Sequence, residues 1–175
     1  RLPAQEVVKR VKLPSPRHLL DLGGGHCQYS IALCRAHPSL RVTVVDLEPA
    51  LRIARERVAQ AGLADRFTFA PGDLLRAPLG ENCDVALLFN VVHHLDEAAN
   101  REILAKAHRA LRPGGVLAVL ETFREGGNPR DQFGSLLALF FGVTSRRQTY
   151  SFEQVGDWLL QAGFELAANI GAGDA

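Results

Sequence analysis

Apolar positions along the chain follow two alternating patterns. Five runs are too short for helices and rich in Leu, Val and Phe: HLLDL (18–22), RVTVVDL (41–47), RFTFAPGD (66–73), CDVALLFNVV (83–92) and VLAVLET (116–122). Such runs predict β-strands, and the nearly unbroken apolar stretch 83–92 predicts a central parallel strand covered on both faces. Between the runs, apolar residues recur every three or four positions, the repeat of an amphipathic helix. Tyr29, Ala32, Leu33 and Ala36 form one stripe, ended by His37-Pro38. Leu51, Ala54, Val58 and Ala61 form a second, with Gly62 as its stop. Ile103, Leu104, Ala107 and Leu111 form a third within 96–115, stopped by Pro113-Gly114-Gly115. The pattern also predicts a lead-in helix over 3–12, helical segments around 130–142 and 152–162, and a last strand over 164–170.

Strands that alternate with helices across short connections predict one α/β domain over 1–175, with its core at 17–122 and a mostly parallel sheet covered on both faces. Crossovers in such a sheet are right-handed. Ligands sit beyond the carboxyl ends of the strands, where the strand order reverses.

Composition adds exclusions. With 47% hydrophobic and 22% charged residues and a net charge of +1, nothing draws the chain to nucleic acid or to a membrane surface. No run reaches the roughly 20 apolar residues of a membrane span. The three cysteines, Cys27, Cys34 and Cys83, show no CxxC spacing and read as reduced thiols of a cytoplasmic protein. The chain starts at Arg1 and lacks methionine, which reads as a piece of a longer protein.

The candidate chemistry lies at the end of the first strand, in DLGGGHC (21–27). A phosphate-cradling loop needs GxxxxGK[ST], and no Lys-Ser or Lys-Thr follows. A dinucleotide loop needs GxGxxG; Gly23 and Gly25 supply two glycines, but Gln28 stands at the third place. The acidic residues favour another ligand. Asp46, ending the second strand, suits the two hydroxyls of a ribose. Asp73, after the third, suits an adenine amino group, with Leu74 over the ring. Asp21 suits the positive amino group of a methionine moiety. Three carboxylates around an adenosine fit the cationic nucleoside S-adenosylmethionine and would repel a pyrophosphate. An Asp at a strand end often only caps the next helix, a reading that weighs as much as the ligand for Asp73 and less for Asp46 and Asp21; three at successive strand ends favour the ligand.

The segments DLGGGHC, VTVVDL, GDLL, HHLDEAANREIL and LRPGGVLAVLE resemble the catalytic domain of class I S-adenosylmethionine-dependent methyltransferases, and more narrowly the small-molecule O-methyltransferases, over about residues 17–165. The resemblance implies a Rossmann-like doubly wound sheet, S-adenosyl-L-methionine as cofactor, and a small aromatic or polyketide-like acceptor. It implies cofactor contacts from Gly23, Asp46, Asp73, Leu74 and the backbone of Phe89; Asp21, Gly25 and Asn90 complete the expected cofactor-binding set. It makes His93 the general base and Glu121 the carboxylate that orients it. Where the family writes His-Asp-Trp, this chain has His93-His94-Leu95, which leaves open which histidine faces the acceptor. A second carboxylate, expected near Gln148–Thr149, is absent. The resemblance also implies a homodimer paired through an N-terminal region expected to be missing from this sequence.

Other readings stay in play. The apolar stretch FGSLLALFFGV (133–143) suits the wall of an acceptor pocket, and equally core or a subunit interface. Metal-dependent methyltransferases need an Asp/Asp-Asn set that Asn90 and Glu121-Thr122 do not form, so no metal is expected. Enzymes that methylate flipped bases place two prolines and an aromatic after the fourth strand; here the chain reads Asn90-Val91-Val92-His93. A C-methyltransferase acting on a quinone or polyketide carbon, and a cofactor-binding module without catalysis, are the alternatives.

Overall fold

A computed structural model of the chain describes residues 4–11, 13, 15–123 and 149–166. Among the described residues, five parallel strands form one sheet in the order β3-β2-β1-β4-β5. They are β1 (His18–Leu22), β2 (Arg41–Asp46), β3 (Phe67–Pro71), β4 (Cys83–Phe89) and β5 (Leu111–Leu120). The helices are α1 (Ala4–Arg10), α2 (Gln28–Ala36), α3 (Glu48–Gln60), α4 (Glu97–Ala110) and α5 (Phe152–Gln161). The strand order reverses between β1 and β4, so the crevice of a doubly wound fold opens at the ends of these two strands.

Side chains that alternate across each strand divide the core in two. Leu19, Val42, Val44, Val85, Leu87 and Phe89 face one layer, packed with Leu33 of α2 and Leu51, Ala54 and Val58 of α3. Leu20, Leu22, Val45, Ala86 and Leu88 face the other, packed with Ile103, Leu104 and Ala107 of α4 and Val155 and Trp158 of α5. Leu19, Leu20 and Leu22 are fully buried, each stabilising the fold by about 1.5–3 kcal/mol.

The amino edge of the sheet is tied by Asp84. Its carboxylate accepts from the backbone N–H of Arg17 at 2.8 Å and of His18 at 2.9 Å, and from Arg112 Nε at 2.6 Å. Burial works against this charge, but Arg112 and the two amides outweigh it and hold the carboxyl at about 2.

Several boundaries differ from the sequence expectation, each for a local reason. The fourth strand stops at Phe89 because Asn90 turns left-handed, with φ of 55°, and Val92–His94 then form a single 3-10 turn. The fourth helix ends at Ala110, and β5 begins at Leu111 and carries Pro113-Gly114-Gly115 within it. The proline adapts to this strand, which has no second neighbour among the described residues, beside a register shift between Cys83 and Val85, where Gly114 takes a φ of 72°. Residues 164–166 carry no strand. The rest of the strand expected at 164–170, and the segments 130–142 and 133–143, lie outside the described residues.

Candidate active site

The carboxyl edge of β1 turns sharply into α2. Asp21, 4% exposed, points into the layer of α2 and accepts from the Ser30 hydroxyl at 2.7 Å. Burial pushes its carboxyl up to about 6; the Ser30 hydroxyl pulls it back and the charge of Asp46 pushes it further. Gly23 and Gly25 both take left-handed backbone, with φ of 71° and 52°. A Cβ on Gly23 would stand 2.7 Å from Val91 Cγ2 and 3.7 Å from Leu74 Cδ1, so this glycine lets the β1, β3 and β4 loops touch. A Cβ on Gly25 would meet nothing nearer than the Gly23 carbonyl at 4.0 Å. Space is open there.

That space belongs to a cavity of about 140 Å³ lined by Asp21, Gly23, Gly24, Gly25, His26, Gln28, Tyr29, Phe89 and Asn90. Of the residues expected to hold a cofactor, the structure therefore brings Asp21, Gly23, Gly25, Phe89 and Asn90 together. Tyr29 and Phe89 meet edge to face with centroids 5.0 Å apart, closing the wall between α2 and β4.

Asp46 serves the same turn from β2. Its Oδ2 accepts from the Gly25 N–H at 2.9 Å and its Oδ1 from the Leu47 N–H at 2.7 Å. A carboxylate oxygen accepts more than one bond, so capacity for a ligand hydroxyl is left. Asp73 and Leu74 do not line the cavity. Asp73 is exposed and its Oδ1 accepts from the Leu75 N–H at 2.9 Å, the cap of a turn. Lys106 of α4 fastens that turn, donating to the carbonyls of Leu74, Leu75 and Ala77 at 2.7, 2.7 and 2.9 Å.

Strands β4 and β5 end side by side, with the Asn90 N–H donating to the Leu120 carbonyl at 2.7 Å. The next turn of β4 carries His93 and the next residue of β5 is Glu121. His93 Nδ1 lies 2.9 Å from both Glu121 carboxylate oxygens, and its backbone N–H donates to Oε2 at 3.3 Å. The two side chains are 12% and 4% exposed. With the Nδ1 proton held toward a carboxylate, the lone pair of a neutral ring lies on Nε2. His94 is exposed, its ring 4.0 Å from that of His93. The Glu121 carboxylate faces the His93 ring. Thr149, at the place where a second carboxylate is absent, is buried, and its Oγ1 has no hydrogen-bond partner among the described residues.

Sequence reasoning missed Ser30, Gly24, Tyr29, Asn100 and Lys106 as parts of this edge. Ser30 and Asn100 gave a signal. Ser30 adjoins the apolar stripe of α2, and Asn100 falls in register with Ile103, Leu104 and Ala107 on that of α4, where a polar residue requires a partner. A Cβ on Gly24 would press on Asp21 Oδ2 at 2.5 Å, so this glycine packs on the buried acid.

The chain has counterparts among known proteins. The 3-hydroxy-5-methyl-1-naphthoate 3-O-methyltransferase of Streptomyces sahachiroi is 35% identical over 162 residues, covering 93% of this chain and 47% of that protein. Aclacinomycin 10-hydroxylase RdmB of Streptomyces purpurascens is 38% identical over 162 residues, covering 90% and 42%. The O-methyltransferase family 2 protein of Planctomyces limnophilus, solved in complex with apigenin, superimposes with a TM-score of 0.82 at 27% identity, over 91% of this chain and 50% of that one. The chain spans about half the length of these relatives. The O-methyltransferase domain family matches residues 1–165, and with a parallel sheet of this order and these relatives, the chain belongs to that family.

Proposed function

We propose that this chain is the catalytic core of an S-adenosyl-L-methionine-dependent O-methyltransferase, acting on a hydroxyl of a small aromatic or polyketide-like molecule. The observation that carries the reading is the His93–Glu121 pair at 2.9 Å, set on two adjoining strand ends, one of which supplies Phe89 and Asn90 to the lining of the glycine-lined cavity. The residues present suit the cofactor. A buried carboxylate at Asp21 suits a cationic group, and the open space beside Gly25 suits a ligand that comes close to bare backbone. Asp21, Gly23, Gly25, Phe89 and Asn90 would line its site, Asp46 would take the ribose, and Asp73 with Leu74 would reach the base from the neighbouring turn. When bound, S-adenosylmethionine supplies an electrophilic methyl group on a sulfonium.

His93 then has one task, to take the proton of the acceptor hydroxyl as the oxygen attacks. A phenol holds its proton until pH near 10, so a positioned base contributes, typically about 10²–10⁴ in rate. Glu121 fixes the ring orientation and tautomer and stabilises the imidazolium that forms, as a carboxylate does in a serine-protease triad. His93→Ala is therefore expected to lose about 10²–10⁴ in methyl transfer, with affinity for S-adenosylhomocysteine unchanged by calorimetry. Loss of affinity in that variant, or full activity without the imidazole, overturns the assignment.

The relative named as a 10-hydroxylase favours a second reading, in which this domain holds the cofactor but serves a different reaction. Intact masses of products from a phenolic panel separate the two. A gain of one methyl group supports transfer, and its position on oxygen or carbon distinguishes O- from C-methylation. Cofactor uptake without any methylated product supports the second reading.

A further inference from the structure

The segment that carries His93 is a single 3-10 turn, with backbone hydrogen bonds from His94 N to the Val91 carbonyl at 2.8 Å and from Leu95 N to the Val92 carbonyl at 3.2 Å. The hydrogen bonds of a 3-10 turn have poorer geometry than those of an α-helix. Outside the turn, however, two side chains seize the carbonyls that bracket His93 and His94. Asn100 of α4, 1% exposed, donates from Nδ2 to the Val92 carbonyl at 3.0 Å and to the Leu95 carbonyl at 3.1 Å. Tyr150, 6% exposed and packed edge-on against Trp158 at 4.8 Å, donates from its hydroxyl to the same Leu95 carbonyl at 2.9 Å.

We propose that Asn100 and Tyr150 are positioning residues that clamp the Val92–Leu95 turn and thereby set the ring of His93 against Glu121. This rests on the reading of His93 as the base and extends it to the two residues that hold that base. The clamp is costly where it stands. Asn100 occupies the apolar stripe of α4 among Ile103, Leu104 and Ala107, and its Oδ1 has no hydrogen-bond partner among the described residues. A helix face selected for stability alone would place an apolar side chain there. A buried amide that donates to both carbonyls enclosing His93 and His94 is explained by what it does to the turn that carries His93. Tyr150 joins the clamp from the far end of the chain, so the His93 turn is referenced to both α4 and the start of α5.

The test reads the His93–Glu121 hydrogen bond directly, in the whole chain with no cofactor or acceptor present. In nitrogen-15-labelled protein, the imidazole Nδ1–H cross-peak of His93 is identified by its disappearance in His93→Gln. It is expected in the wild type and lost in Glu121→Gln. Asn100→Ala is expected to lose the same cross-peak and Tyr150→Phe to broaden it, in proteins whose far-ultraviolet dichroism shows them folded. A role in stability alone would lower the melting temperature and leave the cross-peak in place. An unchanged cross-peak in both folded variants overturns the proposal, as does its absence from the wild type. Should Asn100→Ala fail to fold, Tyr150→Phe decides alone, and an unaltered peak overturns the clamp. A protein that methylates nothing leaves this spectrum intact, so failure of the clamp and failure of the proposed reaction are read separately.

Discussion

At Asp21 a carboxylate with 4% exposure is satisfied by one hydroxyl, that of Ser30, and shares its surroundings with the charge of Asp46. Its folded value of about 6 stands above the unfolded 3.8. The stabilisation this group gives is therefore fully present below pH 3.8 and is lost as pH rises through about 6. The loss is of the order of 3 kcal/mol. Asp21→Asn is expected to remove this slope from denaturant melts of the ligand-free protein between pH 4 and 6.5, and to be the more stable protein at pH 7. The same variant should bind S-adenosylhomocysteine more weakly, because the negative charge facing the cavity is gone. A variant with the wild-type pH slope, or with undiminished affinity, contradicts the role given to this acid. Cys27, in the same turn, is pushed up to about 12 by burial and by the Asp21 charge, so it stays a thiol.

Among the elements, β1, β4 and β5 are joined at both edges by different means. At the amino edge Asp84 holds the starts of β1 and β5 together through Arg17, His18 and Arg112. A carboxyl at about 2 in the folded chain and 3.8 in the unfolded gives stability that is present above pH 3.8 and lost as pH falls through about 2. With solvent close by, the contribution is on the order of 1 kcal/mol. Asp84→Asn is expected to flatten acid unfolding in that window. It should leave cofactor affinity as it was, because the residue stands at the opposite edge from the cavity. A changed affinity would show that the two edges communicate. At the carboxyl edge the tie is the Asn90 N–H on the Leu120 carbonyl, and it is this bond that brings the turn of one strand and the terminal acid of the next within reach.

For the whole molecule, the apolar runs and helical stripes were enough to predict a parallel α/β sheet, because strands buried on both faces leave an unmistakable apolar signature at β1 and β4. The glycines and Asp46 pointed to a common sheet edge because a bare turn and an acid after successive strands have few other uses together, and the structure joins them through the Gly25 N–H bond to Asp46. What stayed hidden depended on contacts across long stretches of chain. That Asp46 braces Gly25, that Lys106 fastens the Leu74 turn, and that Asn100 reaches back to Val92 are facts of packing. In the sequence these residues read as a strand end and as polar positions on a helix. Strand ends were misjudged where a single residue took an unusual backbone, as at Asn90. Ligand linkage tests the assembled edge as a whole. S-adenosylhomocysteine at a hundredfold excess over its dissociation constant is expected to stabilise the chain by about 2.7 kcal/mol. For a domain of this size that raises Tm by roughly 5–10 °C. No shift with this nucleoside, and a shift of that size with NADH or ATP, would return the glycine turn to the dinucleotide or nucleotide reading.

The bond from the Gly25 N–H to Asp46 has a kinetic corollary. It stitches the turn of one strand to its neighbour before anything arrives, so an incoming nucleoside meets a receptacle already in shape. Encounter, rather than remodelling of the polypeptide, then governs how quickly this side of the receptacle fills.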